Sequence, residues 1–171
     1  MAHDAGAAPG GPQKLVIRNI GLLLSGAIEN PILDADTVVA ENGRIKAIGR
    51  AKDVDQEHAT HIIDANGTAL TPGLIDSHVH LTSEQGPNSQ LEEYTKTKSD
   101  LALDGAWNGM KTLKAGFTTV ADLGAPNESI FALRAAIRTG RIPGPRIIAA
   151  GSPISVHGGH GDPTNGMQEA L

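Results

Sequence analysis

Short apolar runs separated by turn residues fill residues 14–70, a pattern typical of β-strands. Asn42-Gly43 lies between two of these runs and predicts a two-residue hairpin turn, and Asn66-Gly67 marks a second turn. The predicted strands are 15–17, 22–24, 37–40, 44–48, 61–64 and 68–70. Together they predict a small antiparallel β unit.

After Pro72 the hydrophobic pattern alternates between the strand period and the helix period. The predicted strands are 74–79, 117–121 and 146–150, and the predicted helices carry Leu101, Leu103, Ala106, Met110 and Leu113, and then Ile130, Leu133, Ala136 and Ile137. Ser99 or Asp100 is the expected N-cap of the first helix, and Asn127 or Ser129 that of the second. This order of elements predicts parallel βα units, as in α/β proteins.

Composition narrows the functional classes. Cysteine is absent from the 171 residues, so a transition metal would need histidine and carboxylate ligands, and a zinc finger is excluded. A net charge of -5 and 2% aromatic residues argue against nucleic acid and anionic membranes as partners. Residues 1–13 are rich in alanine, glycine and proline without an apolar core, which predicts a disordered lead-in rather than a signal peptide. We expect a soluble cytoplasmic protein.

Two histidines close the strand predicted at 74–79. Residues two positions apart on a strand project from the same face, so His78 and His80 could bind one metal ion together. A metal held by neutral imidazoles with an open coordination position activates water for attack on a carbonyl. The other reading is two unrelated histidines on a partly exposed strand end. The spacing alone leaves both readings open, and a metal at this pair would point to a hydrolytic reaction.

Other polar residues also follow predicted strands, where βα architectures place their chemistry. Asp76 should project from the same strand face as the two histidines. It could contact and orient a metal-binding histidine, or it could form a hydrogen bond to a loop, and both roles stay open. His160 and Asp162 lie in a glycine-rich loop and are candidates for substrate binding, with a turn-stabilising role as the alternative for Asp162. Asp122 could support the site, although capping of the next helix is the expected role.

Three segments in this order resemble the metal-dependent amidohydrolase superfamily. They are VVAENGRIKAIG at 38–49, LTPGLIDSHVH at 70–80 and GFTTV at 116–120. The first is similar to enamidase and imidazolonepropionase relatives. The GGHGD segment at 158–162 resembles the branch that contains Xaa-Pro dipeptidases.

The resemblance implies a (β/α)8 TIM barrel with a small β-sandwich. In that reading, residues 14–70 form the N-terminal part of the sandwich and residues 71–171 form about the first three βα units of the barrel. A full barrel takes roughly 250 residues, so we expect the chain to be the N-terminal portion of a longer enzyme and to be inactive alone.

The resemblance further implies that His78 and His80 are ligands of one or two divalent metal ions, usually zinc. The remaining ligands and the catalytic residues are then expected on later strands. The implied reaction is hydrolysis of a C–N bond in a small-molecule amide or cyclic amide. The alternative is an inactive fragment or a non-catalytic metal-binding product, and a homo-oligomer stays open for the full-length protein.

Overall fold

A computed structural model describes residues 13–125 and 128–159. The chain divides after Pro72 into two compact units. The strands of the first unit are β1 (Lys14–Arg18), β2 (Leu22–Leu24), β3 (Ile32–Leu33), β4 (Thr37–Glu41), β5 (Arg44–Gly49), β6 (His61–Asp64) and β7 (Ala69–Leu70). The second unit contains β8 (Leu74–Val79), α1 (Ser89–Thr95), α2 (Lys98–Lys114), β9 (Phe117–Asp122), α3 (Ser129–Arg138) and β10 (Arg146–Ala149). Among the described residues, no helix has the length and apolar character needed to cross a membrane.

The first unit contains a four-stranded sheet of order β5-β4-β1-β6 and a three-stranded sheet of order β3-β2-β7. The hairpin predicted at Asn42-Gly43 is confirmed, since β4 and β5 pair with Glu41 opposite Arg44. Both turn residues have positive φ, 51° for Asn42 and 75° for Gly43, as the favoured two-residue turn requires. A small core of Ile20, Leu23 and Val38 lies in this unit.

The expectation of a wholly antiparallel unit is wrong at two strand pairs. β1 pairs with β6 and β2 pairs with β7 in parallel. A tight turn forces adjacent strands such as β4 and β5 to run antiparallel, whereas the strands of these two pairs are separated by other elements and can align either way. The sequence pattern therefore located the strands without fixing the direction of the non-local pairs.

The second unit is built on a parallel sheet of order β10-β9-β8, which confirms the predicted βα units and the mixed α/β class. Val120 of β9 and Ile147 of β10 are buried with Leu133 of α3 in the core of this unit. Ile148 has the opposite strand parity and is exposed. The sheet therefore packs its helices against one face.

The N-terminus of α2 differs from the prediction. Thr97 is the N-cap, and its hydroxyl accepts a hydrogen bond from the Asp100 N–H while the Asp100 carboxylate accepts one from the Thr97 N–H. This is a capping box, in which the N3 residue assists the cap. Asp100 is thus the third helical residue and Ser99 the second, so neither is the N-cap.

Two further details were missed or misplaced. α3 has Glu128 as its N-cap, without a capping hydrogen bond from that side chain among the described residues, and Ser129 is the first helical residue. Asn127 lies outside the described residues. The short elements α1 and β3 were not predicted, because seven and two residues carry too little periodicity to stand out.

Candidate metal centre

His78 and His80 lie at the carboxyl end of β8, and their rings are neighbours. The ring centroids are 5.3 Å apart, with the planes inclined at 69°. Both side chains are exposed. Two imidazoles at this separation, open to solvent, can approach a common ion.

The ring of His80 is oriented by a backbone carbonyl that follows β9. Its Nδ1 atom lies 2.7 Å from the Gly124 oxygen. A carbonyl oxygen only accepts hydrogen bonds, so Nδ1 carries the proton, and in the neutral ring Nε2 keeps its lone pair. A metal-binding histidine commonly donates its other ring N–H in this way. The donor chemistry of His80 therefore fits a divalent metal at Nε2.

Gly124 has a steric role at this contact. A β-carbon at this position would lie 3.3 Å from His80 Cε1 and 3.5 Å from His80 Nδ1. A larger residue would therefore press on the imidazole that its own carbonyl holds. Gly124 was not singled out in the sequence. The sequence signal for its role was a glycine two residues after the buried end of a strand, and such a glycine alone has many explanations.

Asp122 ends β9 and is fully buried. Its Oδ2 accepts a hydrogen bond of 2.8 Å from the Leu81 N–H, and its Oδ1 accepts a weaker one of 3.3 Å from the Gly124 N–H. Burial raises the pKa of this carboxyl, while the two N–H donors and nearby His80 act in the opposite direction. The expected helix-capping role is wrong, because the carboxylate bonds to the segments that follow β8 and β9, and Glu128 is the N-cap of α3.

Asp76 bonds locally. Its Oδ1 accepts a 3.0 Å hydrogen bond from the His78 N–H, and the side chain is half-buried. The pairing of β8 with β9 shifts register between Asp76 and Val79, which is the stretch that contains His78. Asp76 thus contacts the backbone of a candidate ligand, and a role in orienting that ligand stays a prediction.

The two substrate-contact candidates in the glycine-rich loop, His160 and Asp162, lie outside the described residues. Another histidine, His157, is exposed in the segment that follows β10. Within residues 13–125 and 128–159, no group of three or more histidine, cysteine or acidic side chains gathers as a metal site. The imidazole pair could thus supply two of the four ligands of a tetrahedral zinc.

A cleft elsewhere in the second unit is lined by side chains that include Glu84, Asp104 and Trp107, and neither candidate ligand borders it. Its lysine, Lys96, forms ion pairs of 2.6 Å with Glu92 and 2.8 Å with Asp104. Two carboxylates of the cleft therefore share this lysine, and Glu84 pairs at 3.3 Å with Lys111.

The model of the amidohydrolase family matches residues 69–170, more than half of the chain. The chain belongs to the amidohydrolase family. The predicted resemblance is thereby confirmed, and His78, His80 and Asp122 all lie within the matched region.

Individual amidohydrolases match at moderate identity. The enamidase of Eubacterium barkeri is 35% identical over 115 residues, which are 67% of this chain and 26% of that protein. An imidazolonepropionase of Anaeromyxobacter dehalogenans (strain 2CP-C) is 31% identical over 155 residues, 86% of this chain and 34% of that protein. The chain thus spans about a quarter to a third of the length of these curated relatives.

Solved amidohydrolase structures have the same fold over most of the chain. A Xaa-Pro dipeptidase crystallised with methionine in its active site superimposes with a TM-score of 0.74 at 31% identity. The match covers 90% of this chain and 37% of the dipeptidase. Both units therefore have counterparts in that structure.

Proposed function

We propose that this chain carries the first metal ligands of a metal-dependent amidohydrolase that cleaves a C–N bond in a small-molecule amide or cyclic amide. His78 and His80 are the proposed ligands, with one or two Zn²⁺ ions as the proposed cofactor. The hydrogen bond between His80 Nδ1 and the Gly124 carbonyl is the observation that carries the proposal, because it leaves Nε2 available as a ligand atom.

The proposed architecture is the first part of a TIM barrel. The parallel order β10-β9-β8, with helices between the strands in sequence, supports this reading. In such barrels catalytic residues lie at the carboxyl ends of the strands, which is where His78, His80 and Asp122 are found. The first unit is proposed to contribute to the accompanying β-sandwich.

This chain would supply some of the metal ligands and the contacts that orient them, but not the whole proposed site. A bound zinc ion supplies a water molecule of lowered pKa and polarises the substrate carbonyl. The rings of His78 and His80 are neighbours, with their centroids 5.3 Å apart. The Gly124 carbonyl keeps the His80 Nδ1 proton in place, and Asp76 bonds the backbone of His78. Proton transfer to the leaving nitrogen is assigned to residues outside this chain.

The substrate class is taken from the relatives. Their names, enamidase, imidazolonepropionase, dihydroorotase and Xaa-Pro dipeptidase, support a small molecule with an amide or cyclic amide bond. His160 and Asp162 remain proposed substrate contacts on sequence grounds alone. The net charge of -5 supports a small-molecule partner over a nucleic acid.

The test uses the full natural protein that contains this chain. Replacing both His78 and His80 with alanine is expected to remove most bound zinc, measured by mass spectrometry, and to abolish hydrolysis of a panel of cyclic amides and proline dipeptides. His61→Ala is the matched control, since His61 is also an exposed strand histidine. Unchanged zinc content in the double variant would refute the proposal, as would equal zinc loss in the control.

A further inference from the structure

One buried carboxylate connects the two backbone segments that surround His80. Asp122 accepts hydrogen bonds from Leu81 N–H at 2.8 Å and from Gly124 N–H at 3.3 Å. We call this pair of hydrogen bonds the Asp122 bridge. Leu81 directly follows His80, and Gly124 presents its carbonyl to the His80 ring at 2.7 Å. The bridge therefore acts on His80 from both its backbone and its side chain.

Burial of this side chain requires an explanation. Asp122 has no exposed surface. The core of the second unit contains apolar residues that include Leu81, Val120 and Ala125. A carboxylate in such surroundings is costly unless hydrogen bonds compensate for the lost water. The N–H groups of Leu81 and Gly124 provide this compensation. Both belong to the segments that position His80, so the hydrogen bonds that stabilise the buried carboxylate also hold those segments in place.

We propose that Asp122 is a positioning residue for the metal site: through the Asp122 bridge it fixes the Gly124 carbonyl against His80 Nδ1 and so aims His80 Nε2 at the metal. This inference rests on the proposed function, in which His80 is a ligand. Gly124 also contributes to this arrangement. Its lack of a side chain allows the carbonyl to reach the ring without a β-carbon 3.3 Å from Cε1.

Asp122→Asn is the principal variant, because it keeps the shape of the side chain. The amide offers one accepting oxygen, so its NH₂ group must face one of the two N–H donors. Loss of an outer-shell contact of this kind typically weakens metal affinity by about 10- to 100-fold. We expect a zinc dissociation constant raised within that range, measured by competition with a chelating dye.

A second measurement reports on the tautomer of the His80 imidazole ring. In the metal-free protein, ¹⁵N chemical shifts of the His80 ring are expected to show the Nδ1–H tautomer in the wild type and a mixture in Asp122→Asn. Asp100→Asn is the matched control, because Asp100 is also a carboxylate that accepts two bonds, both from Thr97, without touching His80. It is expected to leave the His80 tautomer and the zinc affinity at wild-type values.

The outcomes separate this inference from the proposed function. If the double alanine variant at His78 and His80 loses zinc while Asp122→Asn keeps wild-type affinity and tautomer, the positioning role is refuted and the metal site stands. If the double variant keeps its zinc, the proposed function fails. If Asp122→Asn does not fold, the same two measurements are made on Gly124→Ala. It retains the carboxylate, and unchanged zinc affinity and tautomer there would overturn the inference.

Discussion

Gly105 and Gly109 lie one turn apart in α2, and both are buried, yet alanine is expected to have opposite effects at the two positions. A β-carbon at Gly109 would lie 3.6 Å from Pro145 Cδ, an ordinary contact. At Gly105 it would lie 2.7 Å from Leu133 Cδ2 and 3.3 Å from Thr82 Cγ2. At Gly109 alanine therefore changes only helix propensity. At Gly105 the gain in helix propensity is opposed by overpacking against Leu133.

The magnitudes follow from these contacts. Replacing glycine by alanine inside a helix gains about 1 kcal/mol, so Gly109→Ala should stabilise the protein by about that amount. Leu133 is only 2% exposed and cannot turn its methyl group into solvent. Overpacking of this kind costs about 1–3 kcal/mol, so Gly105→Ala should be destabilising by about 0–2 kcal/mol after the propensity gain.

Urea denaturation of both variants and the wild type measures the difference directly. The two free energies of unfolding should differ by about 1–3 kcal/mol, with Gly109→Ala the more stable. Equal stabilisation by both substitutions would show that Leu133 can move away, and the tight packing of α2 on α3 would be refuted.

Two further predictions concern the start of α2. Thr97→Ala should cost about 1 kcal/mol of stability by removing the N-cap, whereas Ser99→Ala should be nearly neutral in the same denaturation assay; the reverse order would contradict the assigned cap. The Thr97 hydroxyl and N–H hold the pKa of the Asp100 carboxyl below its usual value of 3.8. Its contribution to stability is therefore complete above pH 3.8 and is lost as pH falls through the lower, folded-state pKa. An NMR titration should find that Thr97→Ala raises the pKa of Asp100, and an unchanged pKa would refute this cause.

The sequence was sufficient for features that depend on local pattern. Alternating apolar runs located most strands, and Asn42-Gly43 specified its hairpin because the turn needs two residues with positive φ. The strand carrying His78 was predicted with the observed limits, since its apolar run is bounded by Pro72-Gly73 and by histidine. Family membership was likewise predictable, because it rests on ordered motifs.

Features that depend on contacts between distant segments were not predictable. The parallel pairing of β1 with β6 has no signature within either strand. Asp122 was expected to cap the next helix because aspartate is a preferred N-cap residue. Its actual partners, Leu81 and Gly124, lie just after two strands that only the folded sheet brings together. The same holds for the carbonyl that orients His80.

The central claim is that His78 and His80 bind one metal ion. A crystal structure of the full natural protein grown with zinc, with an anomalous difference map at the zinc edge, tests it most directly. We predict a zinc ion about 2.0–2.1 Å from His80 Nε2 and from a ring nitrogen of His78, with His80 Nδ1 still bonded to the Gly124 carbonyl. Zinc bound elsewhere, or bound through His80 Nδ1, would contradict the account.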